Sequence, residues 1–151
     1  MHPLPPGQRA VQGFPRFGVN IRRPPPAGPP GIAIEVTGTF LRTIELDAVA
    51  LEGVRRLEIT ADLHCVAGWS AVQLLWEGWV FRDVFDVRIA PALPEGFVVA
   101  FVVFVGADGY RSIVAFEDAV APNVLLADRL NGDPLSPAHR APVRLLSPDQ
   151  Y

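Results

Sequence analysis

The chain has 151 residues, half of them hydrophobic, which suffices for one soluble globular domain and makes a second domain unexpected. Its formal net charge of −3 and the lack of a basic run exclude the electrostatic pattern of a nucleic-acid-binding protein. A single cysteine excludes an internal disulfide, and the longest apolar run, residues 97–105, is far shorter than the ~20 residues of a membrane-spanning helix.

The N-terminal arm, residues 1–31, is expected to be irregular. Nine of the 16 prolines lie in the first 30 residues, and proline removes backbone donors and favours extended conformations. Phe14 and Phe17 interrupt this segment, so these aromatic side chains either attach the arm to the core or belong to a binding site. No apolar segment typical of a secretory signal is present, and a single cysteine fits a reducing compartment, which together indicate a cytoplasmic protein.

Residues 32–151 are predicted to form one domain with many short strands. Apolar runs bounded by turn residues predict strands at 32–36, 40–44, 57–64, 97–105, 110–116, 124–130 and 143–146. The 97–105 strand is expected to be central, with both faces buried. Helical turns are expected at 46–51, 81–90 and 117–121, a loop or helix at 69–75, and turns at Glu77-Gly78, Asp108-Gly109 and Asn131-Gly132. Strands and helices do not alternate, so the predicted class is a β-rich α+β fold.

The segment best suited to chemistry is residues 62–70. The alternating pattern of the preceding strand places Cys65 at its end, and Gly68 follows in the turn. Strand ends hold reactive groups on a rigid scaffold, which would suit a reachable thiolate. A lone cysteine, however, often behaves as a small buried hydrophobic residue, so both interpretations stay open on chemistry alone.

The sequence around Cys65 resembles a known family. His-Cys-Val-x-Gly-Trp-Ser at 64–70, Trp-Glu-Gly-Trp at 76–79 and Phe-Arg-Asp-Val at 81–84 are similar to the oxidoreductase molybdopterin-binding domain of sulfite oxidases and protein-methionine-sulfoxide reductases. Further matching blocks follow in the family's order at 109–112, 116–118, 124–127, 131–135 and 139–144. The resemblance covers about residues 30–151 and implies the mixed β-sheets of the sulfite oxidase domain.

The resemblance implies a molybdenum-molybdopterin cofactor, with Cys65 as the protein ligand of the metal. His139 and Arg144 match the His and Arg of the family's His-Gly-x-Pro-x-Arg segment, which hold the phosphate and the pterin edge. The planar guanidinium of an arginine can donate two parallel hydrogen bonds to a terminal phosphate, and a nearby imidazole can donate one more. Without the resemblance, His139 fits a solvated loop histidine equally well.

Other positions carry weaker matches to the family's cofactor contacts. Ser112 stands near a family Ser or Thr that bonds the pterin. Arg16, Phe17 and Gly18 match the arm that crosses the cofactor pocket. Arg140 departs from the pattern, because the family usually has glycine there. The family also continues past the position of Tyr151 with a Gly-Tyr-Lys type segment that holds the cofactor, so the domain is expected to be short at its C-terminus.

The implied reaction moves an oxygen atom between water and a small sulfur-containing or sulfoxide substrate, with a separate electron-transfer partner. Arg16, Arg82 and Arg111 are available to surround such a substrate. Two alternatives stay open. One is a non-catalytic relative that binds the cofactor or a partner without turnover. The other is a thiol enzyme using Cys65 with His64 or His139, although adjacent strand residues such as His64 and Cys65 point to opposite faces.

Overall fold

The computed structural model describes residues 3–16, 22, 24–25, 27–38 and 42–150. The strands are β1 (Arg9–Val11), β2 (Ala33–Val36), β3 (Ile44–Asp47), β4 (Arg56–Cys65), β5 (Trp69–Val80), β6 (Phe101–Val105), β7 (Arg111–Ala115), β8 (Leu125–Leu130), β9 (Asp133–Pro134) and β10 (Arg144–Leu146). The helices are α1 (Phe81–Val84), which continues as a π-helical turn (Phe85–Ile89) and a 3-10 turn (Ala90–Ala92), α2 (Phe116–Ala119) and a 3-10 turn (Pro137–His139).

The 12-residue strand β5 organises the main sheet. Along one edge it pairs with β4, and its other neighbours are β1 at its beginning and β8 at its end. The β1 pairing is parallel, and the β4 and β8 pairings are antiparallel. β10 and β9 extend the sheet from β8, while β2–β3 and β6–β7 form separate two-stranded sheets. This architecture confirms the predicted β-rich α+β class with mixed sheets.

A β-bulge interrupts the β4–β5 pairing. Ala61 pairs with Leu74 and Leu63 with Ala71, so Val72 and Gln73 both lie opposite the single residue Asp62. Gln73 has a positive φ of 55°, and its N–H donates to the Asp62 carboxylate at 2.8 Å. An extra residue shifts the in-out alternation of the strand by one position. Consequently Trp69 and Trp76, seven residues apart, lie on the same face of the sheet.

The core has two clusters on opposite faces of the main sheet. The site-side core is centred on Trp76, Val80 and Leu125, with Leu146 beside them. The second core is built from β2, β3, α1, α2 and the inner face of the β6–β7 hairpin, and it includes Trp79 and Leu126. Neighbouring residues of β5 and β8 therefore enter different cores, as expected for a sheet that is covered on both faces.

Most predicted strands and turns are confirmed. Five of the predicted strands agree with the structure to within about two residues: β2, β4, β7, β8 and β10. The strand predicted at 40–44 is replaced by β3 at 44–47, and residues 40 and 41 lie outside the described part of the chain. The Asp108-Gly109 turn closes the β6–β7 hairpin, and Asn131-Gly132 turns the chain with both φ angles positive. Helical turns occur at α1 and α2.

Two predictions at β5 are wrong. Residues 69–75 are strand rather than loop or helix, because the bulge breaks the alternation that would have revealed it. Glu77-Gly78 is not a turn but lies inside β5. Gly78 is required there by close approach, since a Cβ atom at this position would stand 2.2 Å from the carbonyl oxygen of Leu126.

Three further predictions need correction. Residues 97–105 are not a buried central strand: β6 begins only at Phe101 and lies in a two-stranded sheet, with Phe101, Val103 and Val105 between 50% and 65% exposed. Apolar side chains on both faces do not require burial of both faces. Residues 46 and 47 still belong to β3, and the predicted helical turn begins only after them, where the Leu51 N–H donates to the Asp47 carbonyl at 3.2 Å. The arm is not wholly irregular, because β1 lies within it.

Candidate functional site

Cys65 ends β4 at a tight turn whose backbone is held from two sides. Its carbonyl oxygen accepts hydrogen bonds from the Gly68 N–H at 2.9 Å and from Gln8 Nε2 at 3.0 Å. Gly68 has a φ of +84°, which glycine adopts without strain. The Cys65 thiol is free and half-buried. The side chain is therefore neither sealed in the core nor carried by a loose loop.

Gln8 connects the arm with this turn. Its Oε1 accepts a hydrogen bond from the Ser70 hydroxyl at 3.0 Å, and Ser70 Oγ lies 2.7 Å from Nδ1 of His64. Ser70 is fully buried. A parallel pairing of β1 with β5 continues the attachment, with Arg9 opposite Trp69. The arm thus adds both a strand and a side-chain bridge to the cysteine hairpin.

The strand register places Cys65 and Arg144 on the same face of the sheet. Cys65 pairs with Trp69, and the bulge keeps Trp76 on the same face as Trp69. Across β8, Gly78 pairs with Ala127, and Ala127 pairs with Arg144. Directly paired residues point to one face. This face is the one covered by the site-side core. His64 pairs with Ser70 and points to the opposite face, which weakens the thiol-enzyme alternative.

Phe14 of the arm packs onto this face. Its ring makes edge contacts with Trp69 and Trp76, at centroid distances of 6.3 and 6.0 Å, and stacks on His139 at 4.1 Å. Offset or edge-to-face ring pairs of this kind are favourable beyond the area they bury. Phe14 therefore links the cysteine hairpin to the loop that carries His139.

Arg144 is the unusual side chain of the site. Its guanidinium lies over the Trp76 ring at 5.3 Å, and its Nε is buried with no hydrogen-bond acceptor among the residues described. Burial, with a smaller contribution from the positive charge of Arg140, lowers the pKa of Arg144 to about 10. It stays charged at neutral pH, and a desolvated cation without an anionic partner is unfavourable. The site therefore favours an anion beside Arg144.

His139 already uses both ring nitrogens. Nε2 lies 3.0 Å from the carbonyl oxygen of Phe14, and Nδ1 lies 3.2 Å from Ser136 Oγ. A carbonyl only accepts, so Nε2 donates in this arrangement. His139 would contact a phosphate only by exchanging the Phe14 carbonyl for a phosphate oxygen. Its ring is half-buried rather than solvated.

The next residue, Arg140, reaches across to another part of the chain. Its guanidinium pairs with the carboxylate of Asp108, which lies in the turn of the β6–β7 hairpin. The Asp108 Oδ1 also accepts the N–H of Tyr110 at 3.1 Å. The hydrogen bond from Arg140, followed by that from Tyr110, lowers the pKa of Asp108. The hairpin turn and the loop of His139 are thus joined by an ion pair.

The structure does not bring Ser112, Arg82 or Arg111 into this group. Ser112 pairs with Phe104 in the β6–β7 hairpin, which packs against the second core. Arg82 and Arg111 are exposed, Arg16 follows Phe14 in the arm, and Phe17 and Gly18 lie outside the described residues. A pocket of about 240 Å³ beside the turn is lined by Pro5, Pro6, Gln8, His64, Cys65 and Val66, but not by His139 or Arg144.

No group of three or more His, Cys, Asp and Glu side chains suited to a metal ion occurs within the described ranges. In the same part of the chain, no helix is long and apolar enough to span a membrane. The donor set nevertheless fits a molybdenum-pterin cofactor, which needs one thiolate and cations for its phosphate rather than a cluster of protein ligands. The buried Nε of Arg144, left without an acceptor, is the observation that supports this fit.

Two contributors were missed from the sequence. Gln8 and Asp108 act through contacts between distant segments, which no local pattern encodes. Phe14 was predicted either to attach the arm to the core or to belong to a binding site, and its ring contacts Trp69, Trp76 and His139.

Comparisons with known proteins identify the family of this chain. The family model described as "Oxidoreductase molybdopterin binding domain" matches residues 24–151. The "Uncharacterized oxidoreductase YuiH" of Bacillus subtilis is 32% identical over 118 residues, which cover 78% of this chain and 57% of that protein. The "Protein-methionine-sulfoxide reductase catalytic subunit MsrP" of Xanthomonas axonopodis is 33% identical over 121 residues, covering 72% of this chain and 36% of that protein.

The fold also has a solved counterpart. The crystal structure of the sulfane dehydrogenase SoxCD from Paracoccus pantotrophus superposes with a TM-score of 0.59 at 19% identity, covering 76% of this chain and 33% of that chain. This likeness supports the β-rich mixed-sheet fold. The chain spans about one third to somewhat over half the length of these proteins. With a family match over most of its length, the chain belongs to the oxidoreductase molybdopterin-binding domain family.

Proposed function

We propose that this chain is the cofactor-binding part of a molybdenum-dependent oxidoreductase that transfers an oxygen atom to or from a sulfur-containing or sulfoxide substrate. The observation that carries the proposal is the half-buried Arg144, whose Nε is buried without an acceptor among the described residues and which lies on the same sheet face as Cys65. An anion would provide an acceptor for Arg144, and a metal would bind the Cys65 thiolate.

The roles proposed for the residues follow from their positions. Cys65 would contribute its thiolate as the protein ligand of molybdenum, at a turn fixed by Gln8 and Gly68. Arg144 would bind the phosphate of the cofactor, since a guanidinium grips phosphate through a planar fork. Trp69 and Trp76, under Phe14, would exclude water from the bound pterin. When bound, the cofactor supplies two-electron redox chemistry and oxygen-atom transfer.

Several finer assignments remain predictions. His139 is a proposed phosphate contact that must first release the Phe14 carbonyl. Ser112, Phe17 and Gly18 are proposed pterin contacts on the resemblance alone. A sulfoxide substrate fits the printed name of the MsrP relative, and a separate electron-transfer partner is expected because nothing in the sequence resembles a heme or flavin motif. The cytoplasmic location also stays a prediction.

The proposal is tested by metal and pterin analysis. The full chain is produced in a host that synthesises the cofactor, and molybdenum is measured by mass spectrometry together with the fluorescence of the oxidised pterin. We expect stoichiometric metal and pterin in the unmodified protein. Cys65→Ser should lose most of the metal, and Arg144→Met should lose both. Val98→Ser, a change at an 82% exposed position outside the pocket and the cysteine turn, serves as the control.

The outcomes separate the alternatives. Absence of metal and pterin from the unmodified protein would contradict the proposal. Stoichiometric cofactor without sulfoxide reductase or sulfite oxidase turnover would indicate the non-catalytic relative. Rapid alkylation of Cys65 at neutral pH in protein that never binds metal would favour a thiol enzyme instead.

A further inference from the structure

Arg140 has a backbone conformation that ordinary residues avoid. Its φ of 74° and ψ of 39° lie in the left-handed region, where a residue other than glycine or asparagine is disfavoured. Its N–H contributes only a long 3.4 Å bond to the carbonyl of Pro137. A long charged side chain held at such a position suggests a task for that side chain.

The side chain of Arg140 forms an ion pair that is accessible to solvent. It pairs with Asp108, and the two side chains are 44% and 28% exposed. Ion pairs exposed to this degree contribute little to stability and exchange readily with other ions. Asp108 itself is held in place by the N–H of Tyr110. The hairpin turn therefore presents a fixed carboxylate that occupies Arg140.

Arg140 and Arg144 are related through the contacts of Phe14, whose ring stacks on His139, the neighbour of Arg140, and also contacts Trp76, over which Arg144 lies. The positive charge of Arg140 contributes to the lowered pKa of Arg144, and no salt bridge to Arg144 is found among the described residues. Two arginines and one carboxylate leave one net positive charge at this point of the molecule. A phosphate that displaced Asp108 from Arg140 would meet two guanidinium groups.

Resting on the proposed function, we propose that Arg140 is a second phosphate-binding cation and that Asp108 is an internal anion that occupies it until a phosphate competes. The chemistry is an ion exchange, in which one carboxylate contact is replaced by contacts with phosphate oxygens. The ligand class is a phosphate monoester such as the end of the pterin cofactor. The position at which the family usually has glycine thereby becomes part of the anion site of this chain.

The test measures the affinity of the cofactor-free full chain for inorganic phosphate at constant ionic strength. Tryptophan fluorescence reports binding, because Trp76 lies under Arg144. Asp108→Asn releases Arg140 and should tighten phosphate binding about fivefold. Arg140→Gly and Arg140→Asn remove the cation but suit the left-handed backbone, and both should weaken binding about fivefold or more. Loss of binding in these variants cannot be ascribed to a strained fold.

A matched ion pair supplies the control. Arg55 and Asp83 pair at 2.8 Å near the opposite end of β4 from Cys65, with exposures of 58% and 28%. Arg55→Gln changes the net charge as the Arg140 variants do, and Asp83→Asn changes it as Asp108→Asn does. Both control variants should keep the phosphate affinity within about twofold of that of the unmodified protein. The proposal is overturned if the Arg140 and Asp108 variants behave like these controls.

Arg144→Met separates this inference from the proposed function. Should that variant bind phosphate as tightly as the unmodified protein, the phosphate site of the proposed function is wrong. If it loses binding while Arg140 and Asp108 variants match the controls, only the role of Arg140 is refuted. Both the proposed phosphate site and the role of Arg140 are supported if Arg144→Met loses binding, Asp108→Asn tightens binding and the Arg140 variants weaken it.

Discussion

The side-chain amide of Gln8 donates a 3.0 Å hydrogen bond to the backbone carbonyl of Cys65. The Oε1 atom of the same amide accepts a hydrogen bond from the Ser70 hydroxyl, so a single side chain from the arm joins both strands of the cysteine hairpin. The position of the thiol is thus determined partly by a residue more than 50 positions away in sequence. The arm is a structural component of the candidate site, not an appendage to it.

Removing this bridge should loosen the hairpin. Gln8→Ala leaves the buried Ser70 hydroxyl with one partner fewer, and we expect about 1–2 kcal/mol lower stability. Amide exchange at residues 65–71 should accelerate severalfold, and metal-free protein should show faster alkylation of Cys65. Gln12→Ala, an exposed change in the same arm, is the control. Equal exchange rates in both variants would contradict a positioning role for Gln8.

Phe14 should determine whether the arm stays on the sheet. Phe14→Ala removes ring contacts with Trp69, Trp76 and His139, and we expect about 2–4 kcal/mol lower stability. Tryptophan emission should shift to longer wavelength as water reaches both indoles, and limited proteolysis should cut the arm first. Phe101→Ala, at a 65% exposed position, should show neither effect. An unchanged emission spectrum in Phe14→Ala would show that β1 and Gln8 hold the arm without Phe14.

Arg144 is expected to oppose folding when no anion is bound. Its folded-state pKa of about 10 lies below that of an arginine exposed to water, as in the unfolded chain, so burial of the charge costs up to about 3 kcal/mol at neutral pH. Arg144→Met keeps the contact with Trp76 and should raise the stability of cofactor-free protein by about 1–3 kcal/mol.

The stability difference between the unmodified protein and Arg144→Met should depend on pH. Above a pH of about 10 the folded protein loses the Arg144 proton before the unfolded chain does, so the stability of the unmodified protein rises relative to the variant. The difference should be constant from neutral pH to about pH 9 and narrow above about pH 10, as measured by urea denaturation. A variant that is less stable at every pH would mean that Arg144 has a protein partner.

Gly78 should be nearly intolerant of substitution. Gly78 pairs with Ala127 of β8, and a Cβ atom on Gly78 would lie 2.2 Å from the Leu126 carbonyl oxygen and 2.5 Å from Cα of Ala127. Both atoms belong to backbone, so relief requires separating two core strands, and we expect Gly78→Ala to lose at least about 3 kcal/mol. Gly31→Ala, where a Cβ meets no atom within 4 Å, should be nearly neutral in thermal denaturation. A Gly78→Ala protein with normal stability would refute the close approach.

The parts of the fold that were predictable are those with local signals. The alternation of β4 and the Asp108-Gly109 turn follow from nearest-neighbour chemistry. β5 was hidden because its bulge breaks the period of two, and Gly78 resembles a turn residue although it serves close packing. The burial of β6 was overpredicted because composition alone cannot tell which face meets the core.

The candidate site divides in the same way. Cys65 and Arg144 were named from the resemblance, and the strand register independently puts them on one face. Gln8 and Asp108 could not be named, because each acts on a partner far away in the chain and has no distinctive neighbours. Arg140 was noted as a departure, but its left-handed backbone and its partner became visible only in three dimensions.

The bulge at Val72 and Gln73 makes the effect of a deletion depend on its location. Deleting Gln73 would leave one residue opposite Asp62, and every side chain of β5 would keep its side of the sheet. Deleting Leu75 instead would also remove the bulge, because β5 would again have one residue opposite each residue of β4. The Gln73 amide would then point into the site-side core, and Leu74 would point to the opposite face of the sheet. Two changes of equal length, two residues apart, would therefore give one protein with an ordinary hairpin and another with a disrupted core.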